Sequence, residues 1–209
     1  MTSYNAVELF DEIERVVKSA LPVAEGLRRV IQFCERTRPH EDWAALRALD
    51  VDADLPRLHE WLQSILRTTP PPAQTTGLWF GLFNPGFGDG GVTADLHVIG
   101  APYSSEDHDW IFRERWGQDT PDAESAVLDA IYQRAYGSKD GLENDAEYPL
   151  CLAYAALAIR HLAQTMGPAL LRDAEQRVLC VGFDSGDSLC IGAIRKEGLV
   201  FSRDSEVMA

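Results

Sequence analysis

The proline-rich stretch TTPPPAQTTG, residues 68–77, separates a part of the sequence with helical periodicity from a part with strand periodicity. Proline cannot continue a helix and cannot donate within the middle of a sheet, so this stretch is predicted to be a connector. We therefore expect a helical region over residues 1–67, an α+β core over residues 78–203 and a loose tail over residues 204–209. A bundle of this size buries little surface by itself, so the helical region should pack on the core.

Before the connector, apolar residues recur at the spacing of amphipathic helices. Two helices are expected on either side of Leu21-Pro22, and a short one at WAALRAL. A longer helix is predicted in DADLPRLHEWLQSIL, with Asp54 as its N-cap and Pro56 in its first turn.

After the connector, GLWFGLF and ADLHVIG are predicted to be neighbouring strands. One helix should open at Thr120-Pro121 and end at Gly137, and a second should run from Tyr148-Pro149 to Gly167. The closing segments RVLCVGF, SLCIGAI and LVFS predict a β-meander whose first two strands lie centrally, because both of their faces are apolar. The fold class is therefore α+β, with N-terminal helices followed by a mostly antiparallel sheet of about five strands with packed helices.

The charge balance limits the kinds of partner. The chain has 33 acidic against 19 basic residues and a formal charge of −14, which repels nucleic acid and anionic lipid and favours a cationic protein partner. The opening MTSYNAVELFDEIE lacks the basic region of a signal peptide, and no apolar stretch approaches the roughly 20 residues of a membrane span. We therefore expect a cytoplasmic protein with no nucleic-acid or membrane partner.

The four cysteines, Cys34, Cys151, Cys180 and Cys190, show no CxxC or zinc-site spacing, so reduced, buried thiols are expected. Cys180 and Cys190 flank a turn, but a two-residue loop at Ser185-Gly186 would pair Val181 with Cys190 and place Cys180 on the opposite face. A longer loop would change this register. We expect no disulfide, and neither a metal nor a cofactor.

The glycine-rich stretch NPGFGDGG, residues 84–91, raises the question of a phosphate site. Such a site needs a following helix and a cation, whereas here a strand pattern follows and no Lys or Arg occurs from Thr68 to Phe112. A hairpin loop is therefore predicted. Phe87 and Asp89 in this loop are candidate partner-binding residues, since aromatic side chains in exposed loops often anchor protein contacts.

Two more acidic segments are candidate contact sites. SSEDHDWIFRERW could be a metal corner but lacks further ligands at a recognisable spacing, and DSGD could serve acid–base chemistry or hold a divalent ion but also suits a tight turn. We assign partner binding to Glu106, Asp107, Asp109, Trp110, Asp184 and Asp187. Two alternatives stay open: a small hydrolase that uses Asp184 and Asp187 or the Cys151 thiol, and a structural homo-oligomer that uses an apolar face of the N-terminal helices.

The segments GLWFGLFNP, DLHVIG, ESAVLDAIYQRAYG, NDAEYPLCLAYAALAI and VGFDSGDSLCIG resemble a group of small acidic bacterial cytoplasmic proteins. Immunity proteins of polymorphic-toxin and contact-dependent competition systems are found in this group. The resemblance covers about residues 77–194 and is most specific at Asn144 to Ile159, while GFDSGD is similar to the glycine–aspartate hairpin of SUKH-type immunity proteins, whose order of elements differs. It implies a non-enzymatic protein that neutralises a toxin by direct binding, and it carries no catalytic residues.

Overall fold

A computed structural model of the protein describes residues 4–84, 94–107, 109–112, 115–137, 140–184 and 186–201. The helices are α1 (Ala6–Val17), α2 (Val23–Thr37), α3 (Asp42–Leu46), α4 (Val51–Thr68), α5 (Ala126–Tyr136) and α6 (Asn144–Leu171). The strands are β1 (Gly77–Phe83), β2 (Asp95–Ala101), β3 (Arg177–Phe183), β4 (Ser188–Arg195) and β5 (Gly198–Phe201). The predicted tail, residues 204–209, lies outside the described residues.

The strands form one five-stranded sheet in the order β2-β1-β3-β4-β5. β1 and β3 are parallel, and the other neighbouring pairs are antiparallel. One face of the sheet packs on α6 within the main hydrophobic core, and Tyr103 and Trp110 cover part of the other face. The predicted α+β fold, with a mostly antiparallel sheet and a closing meander, is confirmed.

Helix α6 runs through the middle of the molecule and is buried along most of its length. It begins one turn before the predicted start at Tyr148-Pro149 and continues past Gly167. Pro149 has no N–H for the carbonyl oxygen of Asp145, and Tyr4 Oη donates to that oxygen instead, at 3.0 Å. The proline therefore lies within the helix without leaving this oxygen unpaired. No helix in the described ranges combines the length and the apolar character needed to cross a membrane.

The predicted N-cap Asp54 has a different role. Helix α4 begins at Val51, where Asp50 Oδ1 caps the first turn by accepting from the Ala53 N–H at 3.1 Å. Asp54 is 1% exposed, and its carboxylate accepts from Ser125 Oγ at 2.6 Å, from the Ala126 N–H at 2.9 Å and from Tyr154 Oη at 2.6 Å. It therefore joins α4, α5 and α6 in the core.

The predicted start of α5 at Thr120-Pro121 is also displaced. The helix begins at Ala126, and Ser125 Oγ accepts from the Leu128 N–H at 3.1 Å as its cap. The segment before it instead extends along the sheet edge, where Ala123 pairs with Leu96 of β2. The predicted end at Gly137 agrees with the structure.

Arg177 holds the proline-rich connector in place. Its side chain is fully buried and donates to the carbonyl oxygens of Pro71, Pro72 and Thr75. A guanidinium has five N–H donors and can satisfy several carbonyls that lie outside a regular element. Burial lowers the pKa of Arg177 from its ordinary value. The connector is therefore an ordered segment, and the helices on one side of it share a single hydrophobic core with the sheet on the other.

The expectation that Cys180 and Cys190 are reduced is wrong, because they form a disulfide. The Phe183 N–H donates to the backbone oxygen of Asp187 at 3.1 Å, so the two strands pair up to Phe183 and Asp187. The loop between them is therefore one residue longer than the expected two-residue loop at Ser185-Gly186. Cys180 consequently pairs with Cys190, and Val181 with Leu189. Disulfides persist mainly in oxidising compartments, so a reducing cytoplasm, the predicted location, would disfavour this bond. Cys34 and Cys151 are free and buried, as expected.

Candidate partner-binding edge

The predicted contact residues fall at two ends of the sheet. Because β1 and β3 are parallel, both end at the same edge, and Asp184 directly follows β3 there. Glu106 instead lines a shallow groove with Thr76 and Gln176, which immediately precede β1 and β3. The strands between the two ends have seven residues each and span roughly 20 Å, so the structure does not bring Glu106 to Asp184. Phe87 and Asp89 lie outside the described residues.

Trp110 is buried, with 6% of its surface exposed. Its ring occupies the space beside Gly77, where a Cβ would lie 2.6 Å from the indole, and it packs edge-on against Tyr103 at 5.3 Å. Its neighbour Asp109 is exposed, and the Asp109 N–H donates to Asp107 Oδ1 at 3.1 Å. The indole is therefore part of the second layer on the sheet, while Asp109 and Phe112, which is 62% exposed, face solvent.

Asp184 is held by two side chains from neighbouring strands. His97 Nε2 of β2 lies 2.9 and 3.0 Å from the two carboxylate oxygens, and Trp79 Nε1 of β1 donates to Oδ1 at 3.3 Å. Burial alone raises the pKa of Asp184, but the hydrogen bonds from His97 and Trp79, together with the charge of His97, outweigh it and lower this pKa from its ordinary value. The carboxylate is therefore ionised and fixed, with 47% of the side chain exposed.

Gly81 creates the space in which His97 and Asp184 meet. A Cβ at this position would lie 2.1 Å from His97 Nε2 and 2.3 Å from Asp184 Oδ1. Gly81 pairs with His97 on one side and with Gly182 of β3 on the other. The contact thus crosses β1 above a residue without a side chain.

Two tyrosines orient the carboxylates of Asp187 and Glu147. Tyr148 Oη of α6 donates to Asp187 Oδ2 at 2.9 Å, and its ring stacks on Phe183 with a centroid distance of 5.7 Å. Tyr136 Oη of α5 donates to Glu147 Oε2. Burial and then the hydrogen bond to Asp187 raise the pKa of Tyr148, so this hydroxyl keeps its proton. Tyr136 is 44% exposed and Asp187 is exposed, so this part of the surface is open to a partner.

These residues lie at one end of the sheet, because Glu147 precedes Tyr148 and Asp184 shares a turn with Asp187, although Asp184 bonds to side chains on the Trp79 face and Asp187 bonds to Tyr148 on the α6 face. We call it the acidic edge: the carboxylates of Glu147, Asp184 and Asp187 and their donors Tyr136, Tyr148, His97 and Trp79. Two of the three carboxylates, Asp184 and Asp187, were predicted from the sequence, and none of the four donors was. Glu147 and Tyr148 lie inside the segment that carries the most specific resemblance, Asn144 to Ile159, which is the signal that could have identified them.

The hydrolase alternative names Asp184, Asp187 and the Cys151 thiol as its reactive groups. Cys151 is fully buried, and burial raises the pKa of its thiol well above the ordinary value, which disfavours the nucleophilic thiolate. Asp184 and Asp187 are bonded to separate partners, His97 and Tyr148. Within the described ranges, no group of three or more His, Cys, Asp and Glu side chains could hold a metal ion.

Comparison with known proteins adds no relative. The chain has no significant match to a protein-family model, to a curated protein or to a solved structure. The resemblance to immunity proteins stays a prediction.

Proposed function

We propose that this protein is a non-enzymatic binding protein that neutralises a cationic bacterial toxin through its acidic edge. The observation that supports this most directly is the arrangement of Glu147, Asp184 and Asp187, each of which is oriented by an aromatic or imidazole donor. A partner that presents Lys or Arg would meet carboxylates whose positions are already fixed. Ordering groups before association reduces the entropy lost on binding, which strengthens the complex.

The side chains of the edge also suit a protein contact. Tyr136 and Tyr148 present partly exposed rings beside the carboxylates, and tyrosine is enriched among the residues that dominate interface energies. Each tyrosine hydroxyl is already used by a carboxylate, so the ring faces are left for packing. The two rings and the carboxylates of Glu147 and Asp187 therefore offer apolar contact beside charge recognition.

The net charge supports the same choice of partner. A chain with a formal charge of −14 attracts a basic protein over a long range and accelerates the encounter. A nuclease toxin is cationic where it binds its own substrate, so an acidic protein docked there would cover the active site. The proposed location is the bacterial cytoplasm, where such a toxin would act.

Co-expression with the product of the adjacent gene tests this proposal. We expect the two proteins to co-purify as a stable complex and the toxin's activity to be lost within it. Two purified proteins that fail to associate at micromolar concentrations would contradict the proposal. Sedimentation of the protein alone tests the homo-oligomer alternative. That alternative predicts an apparent mass that rises with protein concentration.

A further inference from the structure

A groove with an unusual charge lies between α4 and the C-terminal half of α6. Its volume is about 430 Å³, and apolar side chains form much of its surface, among them Leu66 and Met166. Three basic side chains line it: His59 and Arg67 from α4 and Arg172 from the end of α6. One guanidinium therefore comes from α4 and the other from the residue that follows α6.

Among the residues that the structure describes, no Asp or Glu lines this groove, although acidic residues outnumber basic ones 33 to 19 in the chain. Arg67 makes no ion pair with any acidic side chain in the described part of the protein, and it is exposed. Arg172 Nε lies 3.7 Å from Asp173 Oδ2, but that carboxylate is 82% exposed and interacts weakly through solvent. Both guanidiniums are available to an external anion.

The imidazole of His161 lies near this groove. His161 lies one turn before Thr165, a groove residue, and burial, then the charges of Arg160 and His59, lower the pKa of His161. Of these two charges only that of His59 belongs to the groove lining, and it would act on a bound anion there as well.

We propose that this groove binds a small amphipathic carboxylate, with its head group between Arg67 and Arg172 and its apolar tail along Leu66 and Met166. Guanidinium groups bind carboxylates through paired hydrogen bonds, and the volume falls within the range of small-molecule sites. A polyanion such as nucleic acid is disfavoured, because its remaining charges would face an acidic surface. The inference is independent of the acidic edge and of the proposed toxin partner.

Titration of the intact protein by calorimetry and by NMR tests the proposal, with hexanoate, acetate and hexanamide as probes. Hexanoate has both head and tail, acetate has the head alone, and hexanamide has the tail with a neutral head. We expect hexanoate to bind about tenfold or more tightly than either of the others, as for a site that uses a charged hydrogen bond and apolar contact together. Equal affinities for the three probes, or no binding of hexanoate at millimolar concentration, would overturn the proposal.

Substitutions locate the site. Arg67→Ala and Arg172→Ala should each weaken hexanoate binding about tenfold. Arg57 is an exposed residue of α4 that does not line the groove, so Arg57→Ala should leave hexanoate binding unchanged. Circular dichroism shows whether each variant is folded. If Arg172→Ala does not fold, the binding measured for Arg67→Ala decides the outcome. The NMR titration of His161 gives a second readout, because a bound carboxylate should raise its pKa. An equal loss in Arg57→Ala, or an unchanged His161 titration at saturating hexanoate, would contradict the assignment.

Discussion

His97 Nε2 lies 2.9 and 3.0 Å from the two carboxylate oxygens of Asp184, a residue 87 positions later in the chain. The contact joins strand β2 to the turn after β3 and passes over Gly81 of the strand between them. The acidic edge therefore depends on the sheet for its geometry and not on a loop alone.

Gly81→Ala should displace the His97–Asp184 pair, since the added Cβ would lie 2.1 Å from His97 Nε2. Overpacking of this kind typically costs about 1–3 kcal/mol, measurable as a lower free energy of unfolding in urea. Gly186→Ala is the matched control, because a Cβ there has no atom within 4 Å. Equal stability of the two variants would show that the space above Gly81 is not required.

The His97–Asp184 interaction should make stability depend on pH in the acidic range. The folded state lowers the pKa of Asp184, so the carboxylate stabilises the fold above its unfolded pKa of about 4, and this contribution is lost as the pH falls through the lower folded value. Urea unfolding between pH 7 and pH 3 should therefore show a shallower loss for Asp184→Asn than for the wild type. Parallel curves for the two proteins would contradict the lowered pKa.

The disulfide should stabilise the fold and be visible by chemical counting. Thiol titration of the unfolded protein should detect the two thiols of Cys34 and Cys151 without reductant and four after reduction. A bond that closes a loop of 10 residues contributes about 2–3 kcal/mol, so the reduced protein should unfold at lower urea. Four thiols in protein isolated without reductant would show that the bond does not form under those conditions, as in a reducing cytoplasm.

Arg177→Met should be strongly destabilising. It would leave the carbonyl oxygens of Pro71 and Thr75, which are buried residues, without this donor, and each unsatisfied group costs about 1–3 kcal/mol. The Pro72 oxygen would keep the Thr75 N–H as a donor. Arg195→Met is the control, since Arg195 is partly exposed and donates to Gln176 Oε1 alone among the described contacts of its side chain. A loss in Arg177→Met no larger than in the control would show that the connector does not depend on Arg177.

Local sequence patterns predicted the helices and strands, because hydrophobic periodicity and helix-breaking residues such as proline and glycine act within a few positions. The break between α1 and α2 at Leu21-Pro22 and the end of α5 at Gly137 both agree with the structure. Asp54 was misassigned because its partners Ser125 and Tyr154 lie 71 and 100 residues away and have no local signature.

Long-range pairing also explains what the sequence analysis missed at the acidic edge. The parallel pairing of β1 with β3 brings Trp79 to Asp184 across 105 residues, and no local pattern indicates this neighbour. The disulfide was missed for a local reason: one additional loop residue changed the register, and strand alternation converts a shift of one residue into a change of face.

The proposed partner-binding role is tested most directly by measuring the affinity of the adjacent gene's product for the wild type and two double variants. Asp184→Asn with Asp187→Asn removes two charges from the acidic edge, and Asp11→Asn with Glu60→Gln removes two from exposed positions on α1 and α4. Both double variants have the same net charge, so long-range attraction falls equally. We predict a sub-micromolar complex that the edge variant weakens about tenfold or more and the control variant changes little. Equal affinities of the two variants, or no complex at micromolar concentration, would contradict the account.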